Sequence, residues 1–234
     1  MIYSPHHRRN VSRAGGSGID PRWDNLVAGW KLDEESDGLG AVARADVLGA
    51  LELTDNNTVP STAGLIGNAA SFTAASSEYL SHVHDASLNF GSAGEFTIVF
   101  WYKYGSTQPR FSKDDGGANR SWVMLNQVFY LFYDGGGPVT TAVGAVPNDG
   151  DFHMIAVWWA AGGKVYASVD DGVPTASAGN VATSRDTAAP FWMGRFTTNY
   201  AGGAFDEFGI FNKAKDSAWI TDIYNGGAGR DYPN

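Results

Sequence analysis

Short runs of alternating apolar and polar residues recur along this chain, and turns rich in Gly, Asp and Pro separate them. Because strand side chains point to opposite faces in turn, such runs predict strands with one buried face. The first predicted strand begins near Leu26. Further strands are predicted at 70–72, 79–82, 96–104, 121–125, 128–133, 140–143, 152–159, 164–169, 191–193 and 203–211. This spacing is typical of a β-sandwich.

The last predicted strand, 203–211, carries two acidic residues among apolar ones. Strict alternation would place Asp206 on the same inward face as Phe208 and Ile210. A semi-buried carboxylate needs hydrogen bonds, a cation or a metal ion. The adjacent Glu207 would point to the opposite face, so the two carboxylates would not act together.

A short amphipathic helix is predicted directly after this strand. Asp216 provides N-cap chemistry, and Trp219, Ile220 and Ile223 recur at helical spacing. Glycines at positions 226 and 227 would end the helix. The closing segment therefore reads as one strand, a polar turn and one helix.

Five segments resemble, in sequence order, those of the laminin-G-like and concanavalin A-like jelly rolls. They are LVAGWKLDEESDG at 26–38, GLIGNAASFTAASSEYL at 64–80, FTIVFWYK at 96–103, NDGDFHMIAVW at 148–158 followed by KVYASVDDG at 164–172, and GAFDEFGIFNKAKDSAWITDIY at 203–224. The resemblance implies an all-β fold, a concanavalin A-like β-sandwich jelly roll of two antiparallel sheets with one short C-terminal helix. Laminin-G-like domains that resemble this one, with the segments LTDNNTVP at 53–60 and GNAASF at 67–72, are expected in phage structural proteins.

The chain's 234 residues fit one such domain, placed at residues 23–234. Residues 1–22 differ in composition and are expected to form a flexible or docking arm. Cysteine is absent, which excludes thiolate chemistry and a disulfide scaffold. No stretch approaches the roughly 18 apolar residues of a membrane span, and the first residues lack the apolar core of a secretory signal. We therefore expect no membrane partner, and either no export or a leader already removed.

Charge is divided unevenly along the chain. Residues 1–25 hold four of the 16 basic side chains but only two of the 25 acidic ones, so the remainder is strongly acidic. An acidic surface repels nucleic acid, and nucleic-acid binding by the domain is not expected. Arg8, Arg9 and Arg13 are assigned to docking on a partner. The alternatives for this arm are a disordered tail without function and contact with nucleic acid.

One acidic motif, Asp33-x-Glu35-x-Asp37, is a candidate for catalysis. Glucanases of the superfamily that this chain resembles place three acidic residues on one strand, which projects them into a cleft. Here the residues run into the turn signal Ser36-Asp37-Gly38, and Asp and Glu are exchanged relative to that motif. We therefore expect a protein without enzymatic activity.

One structural calcium ion is compatible with the sequence, and many laminin-G-like domains hold one. The first candidate ligands are Asp206 and Asp33, because calcium prefers oxygen ligands and the first and last strands usually neighbour each other in this fold. His82 and His84 form a weaker transition-metal candidate. His153 is expected to be hydrogen-bonded within the fold.

Aromatic residues are the main candidates for ligand binding, since exposed rings stack on sugar faces or partner side chains. The candidate site residues are Trp158, Trp159, Trp192 and Tyr200, with Arg195 as a polar contact. Adjacent residues of a strand face opposite sides, so one of the two neighbouring tryptophans is expected in the core. The alternative to ligand binding is that most of these rings are buried in the core.

Together these features favour a non-catalytic structural or binding protein. We expect a virion-surface protein, a capsid decoration or tail component of a phage-like particle, that docks through its arm and displays a lectin-like domain. Such a protein would be made in the host cytoplasm and reside in the virion, with a virion protein as its partner. A secreted or cell-surface carbohydrate-binding adhesin is the alternative, and a glucanase-type glycoside hydrolase is the second. A glycan ligand and homo-oligomerisation stay open.

Overall fold

A computed structural model describes residues 20–91 and 93–233. In chain order the strands are β1 (Leu26–Trp30), β2 (Thr54–Asn56), β3 (Ser61–Ala63), β4 (Asn68–Phe72), β5 (Tyr79–His82), β6 (Glu95–Tyr104), β7 (Phe111–Asp114), β8 (Arg120–Leu125), β9 (Val128–Leu131), β10 (Val139–Ala142), β11 (Phe152–Ala160), β12 (Gly163–Val169), β13 (Thr175–Val181), β14 (Phe191–Met193), β15 (Arg195–Phe196), β16 (Asn199–Tyr200) and β17 (Gly203–Phe211). The α-helix α1 spans Ser217–Tyr224. Short 3-10 helices lie at Pro21–Trp23, Ala74–Ser76, Ala86–Leu88 and Asn225–Gly227.

Two antiparallel sheets account for most of these strands. The larger sheet has the order β13-β12-β11-β6-β17-β4-β3, and β1 also pairs with β17. The smaller sheet has the order β10-β9-β8-β7-β14-β5-β2, and β15 and β16 form a separate ribbon. This arrangement confirms the predicted all-β sandwich with a short C-terminal helix. The first and last strands are neighbours, as predicted.

The main core lies between the two sheets and is rich in aromatic rings. Trp30, Trp122 and Trp159 are fully buried in it. Phe208 packs 5.8 Å from the ring of Trp30 and 5.1 Å from that of Phe111, measured between ring centroids. Since full burial of an apolar side chain stabilises a fold by about 1.5–3 kcal/mol, these rings are a major source of its stability.

A second apolar cluster lies on the outer face of the larger sheet, beneath α1. Ile220 and Ile223 of the helix pack there with Trp101 of β6. Asp216 caps the helix by accepting a hydrogen bond from the backbone N–H of Trp219 at 2.9 Å, as predicted. Within the described residues, no helix has the length and apolarity that crossing a membrane requires.

The segment from Asp20 to Trp23 packs on the domain. Asp20 accepts a hydrogen bond from the backbone N–H of Arg22 at 3.0 Å, and Arg22 forms an ion pair of 3.5 Å with Asp222. Trp23 is buried, with its ring centroid 4.6 Å from that of Tyr232. The proposed arm boundary at residue 22 therefore lies inside a packed segment. The candidate docking residues Arg8, Arg9 and Arg13 lie outside the described residues.

A β-bulge in β17 makes the predicted orientation of Asp206 wrong. The pairing of β17 with β6 shifts register between Asp206 and Gly209, and Glu207 has a φ of 45°. Phe208 still faces the main core, whereas Asp206 lies opposite Trp101 and shares its outer face. Alternation assumes an uninterrupted ladder, and the extra residue of a bulge breaks it.

Candidate ligand-binding surface

The candidate binding residues divide between the two sheets. Trp159 is fully buried, and its indole N–H donates to the carbonyl of Val181 at 3.1 Å. Its assignment to ligand binding is therefore wrong, because its ring and its donor are both occupied within the core. Trp158 is half-buried on the opposite face, stacked 5.7 Å from Tyr166. This confirms that one of the two tryptophans belongs to the core.

The remaining three candidates lie together with Tyr79, and we call these four residues the aromatic-arginine cluster: Tyr79, Trp192, Arg195 and Tyr200. The guanidinium carbon of Arg195 lies 4.5 Å from the ring centroid of Tyr79, 4.4 Å from that of Trp192 and 5.6 Å from that of Tyr200. These distances are within the range of cation–π attraction. All four side chains are half-buried, so part of each reaches the surface.

The register of β14 directs Trp192 to the outside of the smaller sheet. Its neighbours Phe191 and Met193 are fully buried, so the residue between them points away from the core. Trp192 lies opposite Ser81 of β5 and Ser112 of β7. The ring therefore stands on the outer face, with small side chains on both sides.

A glycine turn carries the chain from β14 into the ribbon that holds Arg195. Gly194 has a φ of 85°, and a Cβ atom there would lie 2.6 Å from the ring of Phe72. Both the backbone conformation and the close packing require glycine. The ribbon then pairs Arg195 directly with Tyr200.

Hydrogen bonds to main-chain groups hold the ribbon in place. The Nε of Arg195 donates to the carbonyl of Thr197 at 2.6 Å, and the hydroxyl of Ser112 donates to the carbonyl of Arg195 at 3.2 Å. The guanidinium of Arg110 donates to the carbonyl of Tyr200. The cluster is thus fixed before any ligand arrives, which lowers the entropy cost of binding.

Small polar side chains border the aromatic rings on the side of β2. Thr54 is exposed and lies opposite Ser81, while Asn56 lies opposite Tyr79. The Asn56 side-chain amide donates to the Ser81 hydroxyl at 2.9 Å. A ring platform with polar groups at its margin suits a ligand that has both an apolar face and hydroxyl groups.

Asp33 and Asp206 contact the loop between β3 and β4. One oxygen of Asp206 accepts from the backbone N–H groups of Leu65 at 2.7 Å and Ile66 at 3.1 Å. Asp33 accepts from that of Asn68 at 2.7 Å. One oxygen of each carboxylate is therefore occupied by backbone N–H groups, whose partial positive charge competes with a cation.

No cluster of three His, Cys, Asp or Glu side chains able to hold a metal occurs at 20–91 and 93–233. The residues present therefore do not fit the expected calcium site, and the assignment of Asp206 and Asp33 to it is corrected. His82 and His84 are engaged separately. The Nδ1 atom of His82 contacts the carbonyl of Glu52 at 2.9 Å, and that of His84 contacts the ammonium group of Lys113 at 3.1 Å.

The bulge of β17 buries two neighbouring carboxyl groups. Burial raises the pKa of Asp206 to about 7. Burial, together with the charge of Asp206, raises the pKa of Glu207 to about 9. A carboxyl that is protonated near neutral pH is a potential general acid. Asp206 is fully buried and Glu207 is 2% exposed, however, so neither reaches a substrate.

The acidic motif near the N-terminus lies beyond the end of β1 at Trp30, as predicted from its turn signal. Asp33 contacts Asn68, and Asp37 accepts from the backbone N–H of Leu39 at 2.9 Å. Glu35 is exposed and, with Asp37, borders an open cleft of about 570 Å³. Without a strand beneath them, these carboxylates do not project together as in the glucanase motif.

His153 borders a second cleft, of about 530 Å³, at one end of the larger sheet. Its ring nitrogens contact Asp170 at 2.9 Å and Asp149 at 3.1 Å. Partial burial lowers the pKa of His153, but the hydrogen bonds to these two carboxylates outweigh burial, and the pKa is raised. The imidazole is therefore held by its neighbours within the fold.

A family model described as the concanavalin A-like lectin/glucanases superfamily, of laminin G type, matches residues 74–221. The chain belongs to this superfamily. Membership agrees with the sandwich, with the pairing of first and last strands, and with the segments that suggested the resemblance. No curated protein matches the chain in sequence.

Solved structures with the same fold come from toxins and from a glycosidase. The binding domain of Paraclostridial Mosquitocidal Protein 1 aligns with a TM-score of 0.68 at 14% identity, over 88% of this chain and 53% of that one. Domain 4 of AbnA, a GH43 extracellular arabinanase from Geobacillus stearothermophilus, was solved with arabinotriose. It aligns with a TM-score of 0.58 at 16% identity, over 85% of this chain and 97% of that domain. The binding domain of botulinum neurotoxin DC, in complex with SialylT, aligns with a TM-score of 0.62 at 13% identity, over 88% of this chain and 52% of that one. The chain spans about half the length of the two toxin binding domains. These similarities establish the fold.

Proposed function

We propose that this chain is a non-catalytic glycan-binding module whose ligand rests on the aromatic-arginine cluster. The observation that carries the proposal is the grouping of three partly exposed rings around one guanidinium on the outer face of the smaller sheet. Ring faces suit the apolar face of a sugar, and the polar border at Thr54 and Ser81 suits its hydroxyl groups.

Two further observations support this function. The outer face of the larger sheet is covered in part by α1, whereas Trp192 reaches the surface of the smaller sheet. Several solved structures with this fold are binding domains, one of them solved with SialylT, and another domain with this fold was solved with arabinotriose. The acidic motif at Asp33, Glu35 and Asp37 does not have the strand geometry of the glucanases, which favours binding over hydrolysis.

A glycan array with matched variants tests the proposal. We expect saccharide binding by the unmodified protein and a loss of about 30-fold in Trp192→Ala, since an anchoring ring is worth about 2 kcal/mol. Trp158→Ala is the control, because Trp158 is also half-buried but lies on the other sheet. Binding that survives Trp192→Ala and vanishes in Trp158→Ala would move the site to the larger sheet. Absence of any saccharide binding would reject the function.

We further propose that the module is displayed on a virion, as a capsid decoration or tail component, with the basic residues Arg8, Arg9 and Arg13 docking it there. The basic composition of the first 25 residues against an otherwise acidic chain supports this role. Deletion of residues 1–19 is the sharper test, because Arg22 and Trp23 pack on the domain. The truncated protein is expected to keep glycan binding and to lose attachment to assembled particles. Equal attachment of both forms would favour the secreted adhesin instead.

A further inference from the structure

Arg195 differs from most other arginines of the described chain in having no carboxylate partner. Ion pairs to Asp or Glu are formed by a set of five arginines: Arg22, Arg44, Arg120, Arg185 and Arg230. Arg110 instead donates to the carbonyl of Tyr200 and to the side-chain oxygen of Asn126. In a chain with a net charge of −9, carboxylates are plentiful, so an arginine without one stands out.

The guanidinium of Arg195 is held in place by groups that leave most of its donors available. Only Nε is bound, to the carbonyl of Thr197 at 2.6 Å. Within 20–91 and 93–233, no protein acceptor engages Nη1 or Nη2. The rings of Tyr79 and Trp192, at 4.5 and 4.4 Å, fix the position of the group without neutralising its charge.

A planar guanidinium with two unused terminal nitrogens matches a carboxylate, which accepts two parallel hydrogen bonds. The lining rings lower local access of water and so strengthen such a contact. We propose that the glycan bound at the aromatic-arginine cluster is acidic, and that Arg195 recognises its sugar carboxylate. This inference rests on the proposed glycan-binding function and specifies the ligand class for that site.

Paired ligands that differ in the carboxylate alone test the inference. Oligogalacturonate and sialylated oligosaccharides are each titrated beside their carboxyl-reduced forms, in which the carboxylate is an alcohol. The unmodified protein is expected to bind at least one acidic form tenfold or more tightly than its reduced form. Arg195→Gln should abolish that difference, so that the acidic and the reduced form bind with equal affinity. Arg195→Lys should keep only part of the preference for the acidic form, since lysine has the charge but not the two parallel N–H donors of the guanidinium.

Arg185→Gln is the matched control, because it removes one guanidinium that is paired with Asp134, away from the cluster. It should keep the preference for the acidic form. Equal affinity of the unmodified protein for both forms would overturn the inference and leave glycan binding intact. A preference that persists in Arg195→Gln would also overturn it. Binding of neither form, with other glycans bound, would overturn it as well, and binding of no glycan at all would reject the proposed function. Thermal unfolding of each variant shows that it is folded.

Discussion

Replacing Glu207 with glutamine should flatten the dependence of stability on pH near neutrality. The folded-state pKa of Glu207 is raised from its ordinary value of 4.5 to about 9. A group whose pKa is raised by folding contributes stability that is fully present below the unfolded pKa and is lost as pH rises through the folded one. Each pH unit inside this window costs about 1.4 kcal/mol. Between pH 6 and 8 the unmodified protein should therefore lose roughly 3 kcal/mol of unfolding free energy from Glu207 alone.

The glutamine keeps the shape of the side chain and an oxygen that can accept from the backbone N–H of Tyr232, which lies 3.3 Å from Glu207 Oε2. Urea unfolding followed by tryptophan fluorescence at pH 6, 7 and 8 measures the change. Glu207→Gln should retain only the smaller slope that Asp206, with its pKa of about 7, produces. Glu52→Gln, at an exposed glutamate, is the control and should follow the unmodified protein. A pH slope in Glu207→Gln as steep as in the unmodified protein would refute the reasoning.

Three further outcomes follow from the packing. Gly194→Ala should lower the unfolding free energy by at least 1–2 kcal/mol, because its φ of 85° and the ring of Phe72 at 2.6 Å both exclude a Cβ atom; equal urea midpoints would contradict this. Asp216→Ala should cost about 1 kcal/mol by removing the cap of α1, while Asp216→Ser should cost little; equal loss in both would point to another role. Calcium or a chelator should leave the thermal midpoint unchanged, since Asp206 and Asp33 already accept from backbone N–H groups and no third His, Cys, Asp or Glu of the described residues joins them; a rise of several degrees with calcium would restore the metal site.

Alternation predicts most strands of the main core correctly, yet it does not reveal β7. That strand contains Lys113, which is fully buried although lysine usually marks a surface. Its ammonium donates to the carbonyls of Thr187 and Ala189, both at 3.0 Å, and contacts His84. These acceptors compensate the cost of burying the ammonium group, and they lie in loops that are distant in sequence. Local sequence therefore carries no sign of them.

The candidate surface is predictable only in part for a similar reason. Trp192, Arg195 and Tyr200 are close in sequence and could be selected together as aromatic and polar loop residues. Tyr79 joins them only because β5 pairs with β14 across more than one hundred residues. For Asp206 the sequence gives a clear prediction that is wrong. Its alternation is regular, but a bulge stabilised by tertiary pairing reverses the direction of the side chain.

The position of β17 in the larger sheet also sets the order in which this protein is able to fold. β17 lies between β6 on one side and both β1 and β4 on the other, so it joins the strands from the beginning and the middle of the chain. Leu26 meets Phe211 in this ladder. On a ribosome the larger sheet cannot close until residue 211 has emerged, and the earlier strands must wait with unpaired edges. The larger sheet should therefore form late relative to the synthesis of its first strands, whose unpaired edges need protection until β17 is available.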